Sequence, residues 1–254
     1  MRKVTIIPYV IAALVAGACG DKHSQASDAN AAEVTVSPEA SSVSTPTGPV
    51  PAGTVTFDGA QAAYTEKRYD EAVRLFTSYT SEHPDNVWGF YMLGLSAWKT
   101  GDRDAAVRAF TQALEKDSTH VKSHLNLSRV LIEQGKAQEA LPYVEAALKI
   151  DSTSNEIYRV LGRVKGELGD STGAIEALKR AIVLDERDAR SMNNLARVYI
   201  GQGRFEDALG PLARAIEIDS TVAAFHTNLG RALERTADRG SLAEAFVEQV
   251  KGWR

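Results

Sequence analysis

The feature that most constrains the fold of this chain is a 34-residue period that begins near residue 53. Four columns of residues keep this interval over four or five copies. These columns are Ala72, Ala106, Ala140, Ala174 and Ala208; Leu93, Leu127, Leu161, Leu195 and Leu229; Gly101, Gly135, Gly169 and Gly203; and Ala113, Ala147, Ala181 and Ala215. Because independent columns share the period, the sequence predicts an array of one repeated structural unit rather than a single globular core.

Each column has a physical role in a helical hairpin. The glycine ends a first helix, where a left-handed residue is needed. Small residues after each leucine let the two helices of a hairpin approach closely; these are Gly94, Ser128, Gly162, Ala196 and Gly230. Larger apolar residues fill the space between neighbouring hairpins; these are Phe76, Phe110, Val144, Leu178 and Leu212. Aspartates suited to tight turns and helix starts separate the units; these are Asp117, Asp151, Asp185 and Asp219.

This pattern resembles the tetratricopeptide repeat, both in unit length and in the order of small, large and turn positions. The resemblance covers residues 53–254, about 80% of the chain. It implies an all-α, right-handed superhelical solenoid of about six helical hairpins, with the first helix of each lining a concave face. The expected repeats are 53–86, 87–120, 121–154, 155–188, 189–222 and 223–254. Six such units fill this region and leave no room for a catalytic domain.

The first and last repeats depart from the pattern as terminal caps do. Lys67 stands where repeat 1 would carry the turn glycine, and repeat 6 also lacks that glycine. The last predicted helix places apolar residues on one stripe and charged residues on the other face, which suits a terminal cap that meets water. The stripe is Leu242, Phe246, Val250 and Trp253.

Residues 1–18 are predicted to be a lipoprotein signal peptide. Two basic residues precede an apolar run that is shorter than the roughly 20 residues of a membrane-spanning helix. The run ends in small residues before Cys19 and resembles the lipobox of bacterial lipoproteins, with Ala16 at the usual leucine position. The resemblance implies acylation of Cys19, the only cysteine, and stable anchoring by several acyl chains. The alternative is an ordinary secretory signal cut nearby, with Cys19 an incidental thiol.

Residues 19–52 read as a lipidated cysteine followed by a disordered tether. Four of the eight prolines lie here among Ser, Thr, Ala and Gly, with no helical or strand period. Such a segment cannot bury enough apolar area to offset its ordering entropy. We therefore expect an exported protein that is lipid-anchored to a bacterial membrane. By resemblance to enterobacterial sorting, Gly20 favours the periplasmic side of the outer membrane over the inner membrane.

An arginine column predicts where a partner binds. By resemblance to peptide-binding members of the family, the ninth position of each repeat faces the groove, and four repeats place arginine there. These residues are Arg129, Arg163, Arg197 and Arg231, and three of them follow Asn126, Asn194 or Asn228 by three positions. Guanidinium groups form planar, charge-assisted bonds with carboxylates, so an acidic segment or a C-terminal carboxylate is a candidate ligand. The alternative is internal pairing with Glu133, Glu156, Glu167 or Glu234.

Aromatic residues mark the other half of the groove. Phe57 and Tyr64 of repeat 1 share this face with Trp88, Tyr91 and Trp98 of repeat 2. They are either anchors for the apolar end of an extended peptide or part of the core. A third interpretation is that Trp88, Tyr91 and Trp98 stack on cell-wall glycan.

No catalytic site, metal site or cofactor is predicted. His120 and His124 are four apart, but no cysteine or clustered carboxylate completes a metal site. A net charge of −4 gives no reason to expect nucleic acid, and nothing indicates a small-molecule substrate. The sequence predicts a non-enzymatic scaffold that binds peptide or helix segments of envelope proteins. The alternatives are a lipoprotein of the pilus and secretin-assembly type and a cell-wall glycan-binding module.

Overall fold

The computed structural model describes residues 55–237, which form eleven α-helices and no strand. In chain order the helices are α1 (Phe57–Thr65), α2 (Tyr69–Glu82), α3 (Val87–Thr100), α4 (Arg103–Lys116), α5 (Val121–Glu133), α6 (Ala137–Ile150), α7 (Asn155–Glu167), α8 (Ser171–Leu184), α9 (Ala189–Gly201), α10 (Phe205–Ile218) and α11 (Ala223–Ala237). They pair as five successive hairpins, and α11 follows as the first helix of a sixth. The all-helical solenoid predicted from the period is confirmed.

Short polar side chains start several of these helices by capping free backbone N–H groups. Asn86 accepts a bond from the Gly89 amide at 2.8 Å, and Asp102 accepts one from the Ala105 amide at 2.9 Å. Asp170 and Asp188 do the same for α8 and α9. An N-cap of this kind contributes about 1 kcal/mol. The sequence therefore fixes where each of these four helices begins.

The turn within each hairpin requires a left-handed residue. Gly101, Gly135, Gly169 and Gly203 have φ values of 90°, 74°, 80° and 70°, as the glycine column predicts. In the first hairpin Lys67 adopts the same conformation, with φ at 62°. A residue with a Cβ atom is strained in this region by roughly 1–2 kcal/mol. The geometry of the repeat thus overrides the local preference of lysine.

Aspartates of the turns between hairpins accept two bonds from the residue two positions later. Asp117 accepts the amide of Thr119 at 2.8 Å and its hydroxyl at 2.6 Å. Asp151 and Asp219 repeat this arrangement with the threonines that follow them. The hydroxyl bond and then the amide bond hold the pKa of all three carboxyls below the ordinary value. These residues are the predicted Asx-type turns.

The core lies within and between the hairpins. The five predicted inter-hairpin residues are fully buried; they are Phe76, Phe110, Val144, Leu178 and Leu212. Two helix pairs are so close that glycine alone fits. A Cβ atom on Gly94 would lie 2.6 Å from Phe110 Cε1, and one on Gly162 would lie 2.5 Å from Leu178 Cγ.

The first helices of consecutive hairpins also contact one another, as α5 does with α7 and α7 with α9. Their approach places them on the inner side of the curve, which is the concave face. None of the described helices combines the length and apolar character needed to cross a bilayer. The predicted signal peptide, Cys19, the tether and the last capping helix lie outside the described residues.

Candidate functional site

Arg129 is neutralised within the protein. Its Nη1 donates to Asn126 Oδ1 at 2.9 Å, and its Nη2 donates to Glu156 Oε1 at 2.6 Å across the gap between α5 and α7. Burial raises the pKa of Glu156, but the bond and charge of Arg129, helped by Arg159, outweigh burial and leave the pKa lowered. At this member of the arginine column, internal pairing is what the structure shows.

The bonding continues along the concave face through Arg159 and Asp188. Arg159 Nη1 donates to Asp188 Oδ2 at 2.7 Å, and the Asp188 side chain is 3% exposed. The same carboxyl accepts the Ser191 hydroxyl at 2.6 Å and the Asn155 amide at 3.1 Å. Burial raises the pKa of Asp188, but the Ser191 bonds and Arg159 bring it below its ordinary value. The bonds from Arg159 and Asn155 join α7 to the start of α9.

Together these groups form a polar relay on the concave face. It contains Tyr91, Asn126, Arg129, Glu156, Arg159 and Asp188. Its first link is the Asn126 amide, which donates to the Tyr91 hydroxyl at 3.1 Å. Three successive inter-hairpin gaps are bridged by this relay. Sequence reasoning missed Asp188, which it placed only as the last residue of the repeat 155–188.

Arg163 and Arg197 differ from Arg129 because neither forms an ion pair within residues 55–237. Arg163 is half-buried on α7, and Arg197 is exposed on α9. Burial lowers the pKa of Arg163, the positive charges of Arg197 and Arg129 lower it further, and Glu133 and Glu167 partly oppose them. A guanidinium group that is drawn out of water beside other cations is electrostatically unsatisfied.

The period explains why these two arginines are unpaired. Glu156, the partner of Arg129, lies 27 residues after it, and the equivalent positions one and two repeats later are Arg190 and Ala224. Neither residue can supply an anion. Glu133 is already engaged, since it accepts Trp98 Nε1 at 3.0 Å and Arg103 Nε at 3.2 Å. This 27-residue spacing is the signal that would have separated the paired arginine from the unpaired ones.

Between α7 and α9 lies a cleft of about 290 Å³ that both unpaired arginines line. We call it the arginine cleft. The remaining lining is Gly162, Gly166, Glu167, Ser171, Leu178, Asn194, Val198 and Gly201. Asn194 is part-exposed and Glu167 exposed. Arg231, the last arginine of the column, is exposed on α11.

The three predicted asparagines have different contacts in the structure. Asn126 is buried and belongs to the polar relay. Asn228 donates to Asn193 Oδ1 at 2.8 Å and so joins α11 to α9. Asn194 lines the arginine cleft. One of the three therefore faces a space that a ligand can enter, while the other two hold helices together.

Most of the predicted aromatic face belongs to the core. Phe57 packs edge-on against Phe76 and Tyr79, each at 5.6 Å between ring centroids. Tyr64 packs against Tyr69 at 5.5 Å.

In repeat 2, two of the three predicted aromatic rings are also packed within the protein. Tyr91 is 9% exposed, and Trp98 is part-buried with its Nε1 bonded to Glu133. Trp88, at 47%, is the exposed one of these three rings.

Trp88 borders an apolar pocket of about 400 Å³. Phe57 and Gln61 of α1 line it together with Asn86 and Met92. Lys122 Nζ lies 5.1 Å from the centroid of the Trp88 ring. The pocket opens between the first helices of hairpins 1 and 2. Sequence reasoning found Phe57 and Trp88 but missed Asn86 and Met92, because neither an amide nor a methionine stands out in a pattern of aromatics.

The two histidines have local roles. The His120 ring packs edge-on against Trp88 at 4.9 Å, and its Nδ1 contacts the Ser123 hydroxyl at 2.7 Å. His124 Nε2 donates to the Ser118 carbonyl at 2.9 Å. Burial, as the largest effect, lowers the pKa of His120. Within the part of the chain that the structure covers, no group of three His, Cys, Asp or Glu residues is arranged to hold a metal ion.

The described part of the chain is a helical-repeat solenoid. Its helical hairpins are stacked, small residues lie at the helix crossings, and the first helices form a concave face. A profile of the tetratricopeptide repeat matches residues 91–155 and 159–223, just over half of the chain. The chain therefore belongs to the tetratricopeptide repeat family. Proteins of this family are interaction modules. No curated protein matches the sequence.

Solved structures with this fold are similar to the chain over about two thirds of its length. A thermophilic tetratricopeptide protein of Thermus thermophilus, TTC0263, has 22% identity and a TM-score of 0.58, covering 68% of this chain and 95% of that one. MamA of Desulfovibrio magneticus RS-1 has 20% identity and a TM-score of 0.59, covering 65% and 93%. YrrB has 18% identity and a TM-score of 0.55, covering 67% and 88%. These likenesses support the fold.

Proposed function

We propose that this protein is a membrane-tethered interaction scaffold of a bacterial envelope that holds a peptide or helix of partner proteins in its concave groove. The observation that carries the proposal is the arginine cleft, where Arg163 and Arg197 face open space and form no ion pair within the described part of the chain. A buried or half-buried charge is normally paired, so a site of this kind is completed by a ligand. The apolar pocket beside Trp88 offers a second contact on the same helix layer.

One of the similar structures supports peptide binding in the groove. YrrB is described as a tetratricopeptide protein with an unusual peptide-binding site. Groove binding of a peptide is therefore compatible with this fold.

Tethering rests on Cys19 and the segment that precedes the first hairpin. We expect the wild-type chain to sediment with membranes and to require detergent for release, because several acyl chains anchor stably. Cys19→Ala should move the protein into the soluble fraction. Retention of that variant in the membrane fraction would remove the lipid anchor from the proposal.

Photo-crosslinking can test groove binding directly. A photoreactive residue at Glu167 reports the arginine cleft, whereas one at Val183, which is 68% exposed on the second helix α8, reports the outer layer. We expect a discrete crosslinked partner from the Glu167 position in envelope preparations and none from Val183. Equal yields from both positions, or none from Glu167, would refute groove binding. A secretin subunit as the captured partner would indicate the pilus-assembly form of this function.

Cell-wall glycan binding is less well supported. Stacking on sugar rings requires exposed aromatic faces, and two of the three candidate rings are engaged in the core. Tyr91 is buried, and Trp98 is packed and bonded to Glu133. Trp88 is the exposed ring among these three, and one ring does not form a surface on which several sugar rings can stack.

A further inference from the structure

The apolar pocket beside Trp88 lies next to the point where the chain enters the first hairpin. We propose that residues 48–54 of this same chain dock in that pocket. These residues read Gly-Pro-Val-Pro-Ala-Gly-Thr and directly precede the described part of the chain; we call them the proline segment. This inference goes beyond the proposed function, because it gives the pocket an occupant from the chain itself. A partner that reaches the pocket must then displace the proline segment.

Contacts within the hairpins hold the walls of the pocket in place. The Trp88 ring packs edge-on against His120 at 4.9 Å and against Tyr91 at 5.5 Å between ring centroids. Phe57 is held in the same way by Phe76 at 5.6 Å. Nearly half of the Trp88 side chain nevertheless remains exposed. A preformed apolar surface loses little conformational entropy when it is covered, so this pocket suits a short apolar segment.

The pocket lies at the end of the helices where the chain enters. Phe57 is the first residue of α1 and Asn86 is the N-cap of α3, so the N-terminal ends of both helices line it. Val55 is 9% exposed and packs in the same core as Phe57, which fixes the chain directly after the proline segment. From Val55 the seven residues of the segment can extend up to about 25 Å. Gly53 lets the chain reverse its direction toward the pocket.

The proline segment has the chemistry that an apolar, aromatic-lined pocket recognises. Pro49 and Pro51 favour the polyproline II conformation, whose backbone carbonyl groups have no internal partner. Segments of this kind dock against aromatic side chains at a low entropic cost. Gln61 lines the pocket and its side chain forms no hydrogen bond within residues 55–237, so its amide can donate to one of those carbonyls. Residues 40–54 contain no charged side chain, so docking desolvates no charge of the segment.

The covalent connection makes even a weak contact effective. A short linker gives the proline segment an effective concentration on the order of millimolar at the pocket. A dissociation constant of about 1 mM would therefore keep the pocket occupied about half of the time. The segment is thus favoured over any free peptide of similar chemistry that is present at a lower concentration.

Disulfide trapping tests the contact in the full chain. Cys19→Ala removes the only natural cysteine, and V50C/Q61C then pairs the proline segment with the pocket. The control V50C/E82C pairs the segment with an exposed residue at the end of α2, which lies at the same end of the first hairpin but in the outer layer. Cysteines whose Cα atoms are more than about 7 Å apart cannot be bridged. In oxidised glutathione we expect V50C/Q61C to form an intramolecular disulfide about 10-fold faster than the control.

Two results of this experiment would overturn the proposal. Equal rates for the two pairs would mean that the segment does not favour the pocket. A disulfide-linked dimer in place of the linked monomer would assign the pocket to a second copy of the chain.

The indole N–H signals of the tryptophans test the same contact by NMR without introduced cysteines. Trp88→Phe identifies the Trp88 signal in the Cys19→Ala chain. P49S/P51S should shift that signal, because the segment no longer covers the ring. The Trp98 signal should stay in place, because its N–H is bonded to Glu133. A general change in the fold would move both signals.

P38S/P46S is the matched control, because it replaces two prolines that precede the proline segment. It should leave the Trp88 signal unchanged. An unshifted Trp88 signal in P49S/P51S, or an equal shift in the control, would refute docking of the segment. Either result would leave groove binding at the arginine cleft intact, since the Glu167 crosslink tests that function separately.

Discussion

Gly162→Ala tests whether the close packing of α7 on α8 depends on a missing side chain. The added Cβ atom would lie 2.5 Å from Leu178 Cγ and 2.9 Å from Leu178 Cδ2. Carbon atoms pack best at roughly 3.5–4.0 Å, so one of the helices or Leu178 must move by about 1 Å. Leu178 is fully buried and cannot turn toward solvent. We therefore expect a large steric cost at this position.

The magnitude follows from two opposing effects. Alanine is preferred to glycine inside a helix by about 1 kcal/mol. Overpacking a filled core costs roughly 1–3 kcal/mol, and the short distance places Gly162→Ala near the upper end. The free energy of unfolding should fall by about 2 kcal/mol. Gly166→Ala is the matched control on the same helix, because its Cβ would make ordinary contacts at 3.8 Å and 3.9 Å. That control should gain about 1 kcal/mol.

A substitution at Leu178 should relieve the clash that Gly162→Ala creates. Leu178→Ala alone should cost about 3 kcal/mol through the cavity it leaves. In the double variant Gly162→Ala/Leu178→Ala the clash is gone and the new methyl group enters the cavity, so the loss should be about 2 kcal/mol rather than the additive value of about 5 kcal/mol. Urea unfolding followed by circular dichroism measures the wild type and all these variants. If Gly162→Ala is as stable as Gly166→Ala, or the Gly162 and Leu178 effects simply add, the close-packing argument is wrong.

Three further perturbations probe the turn and the polar relay. Lys67→Gly should raise the free energy of unfolding by about 1 kcal/mol, because glycine adopts the left-handed turn without strain; no gain in thermal stability would contradict this. Asp188→Asn should cost about 3 kcal/mol, because half-buried Arg159 loses its nearer anion and keeps Glu156 at 3.4 Å. Since the folded pKa of Asp188 is lowered, its contribution is present above the unfolded pKa of about 3.9 and is lost as pH falls through the folded pKa. Urea titrations across pH should therefore show a weaker acid-induced loss in Asp188→Asn, and an unchanged profile would refute that role. Tyr91→Phe should cost about 1–2 kcal/mol, because the buried Asn126 amide loses its acceptor; an unchanged urea midpoint would count against the relay.

The fold was predictable because each repeat column encodes local chemistry that is the same wherever the column recurs. A glycine such as Gly101 must be left-handed in its turn, and an apolar residue such as Leu178 must be buried between hairpins. Both are properties of one position and its neighbours in the chain. Lys67 was also recognisable, since a column of glycines specifies the backbone conformation that any replacement must adopt.

The site was only partly predictable, because pairing depends on residues that meet across hairpins. Arg129 and Arg163 occupy the same position of their repeats, and they differ because Glu156 lies opposite one whereas Arg190 stands at the matching place for the other. Tyr91 likewise reads as a groove aromatic, but it is buried because it packs against Phe110 with ring centroids 5.9 Å apart. The 34-residue period identifies the residues that share a position in the repeat. Whether each of them is paired with an opposite charge depends on the residue that faces it from a neighbouring hairpin.

The bond between Arg159 and Asp188 has a consequence for the width of the arginine cleft. It connects α7 to the N-terminus of α9, and these are the two helices that carry Arg163 and Arg197. The ion pair between Arg159 and Asp188 therefore helps to hold the distance between the guanidinium groups of Arg163 and Arg197. Protonation of Asp188 in acid should weaken this ion pair and change the width of the arginine cleft, and so its fit to a ligand, before any hairpin unfolds.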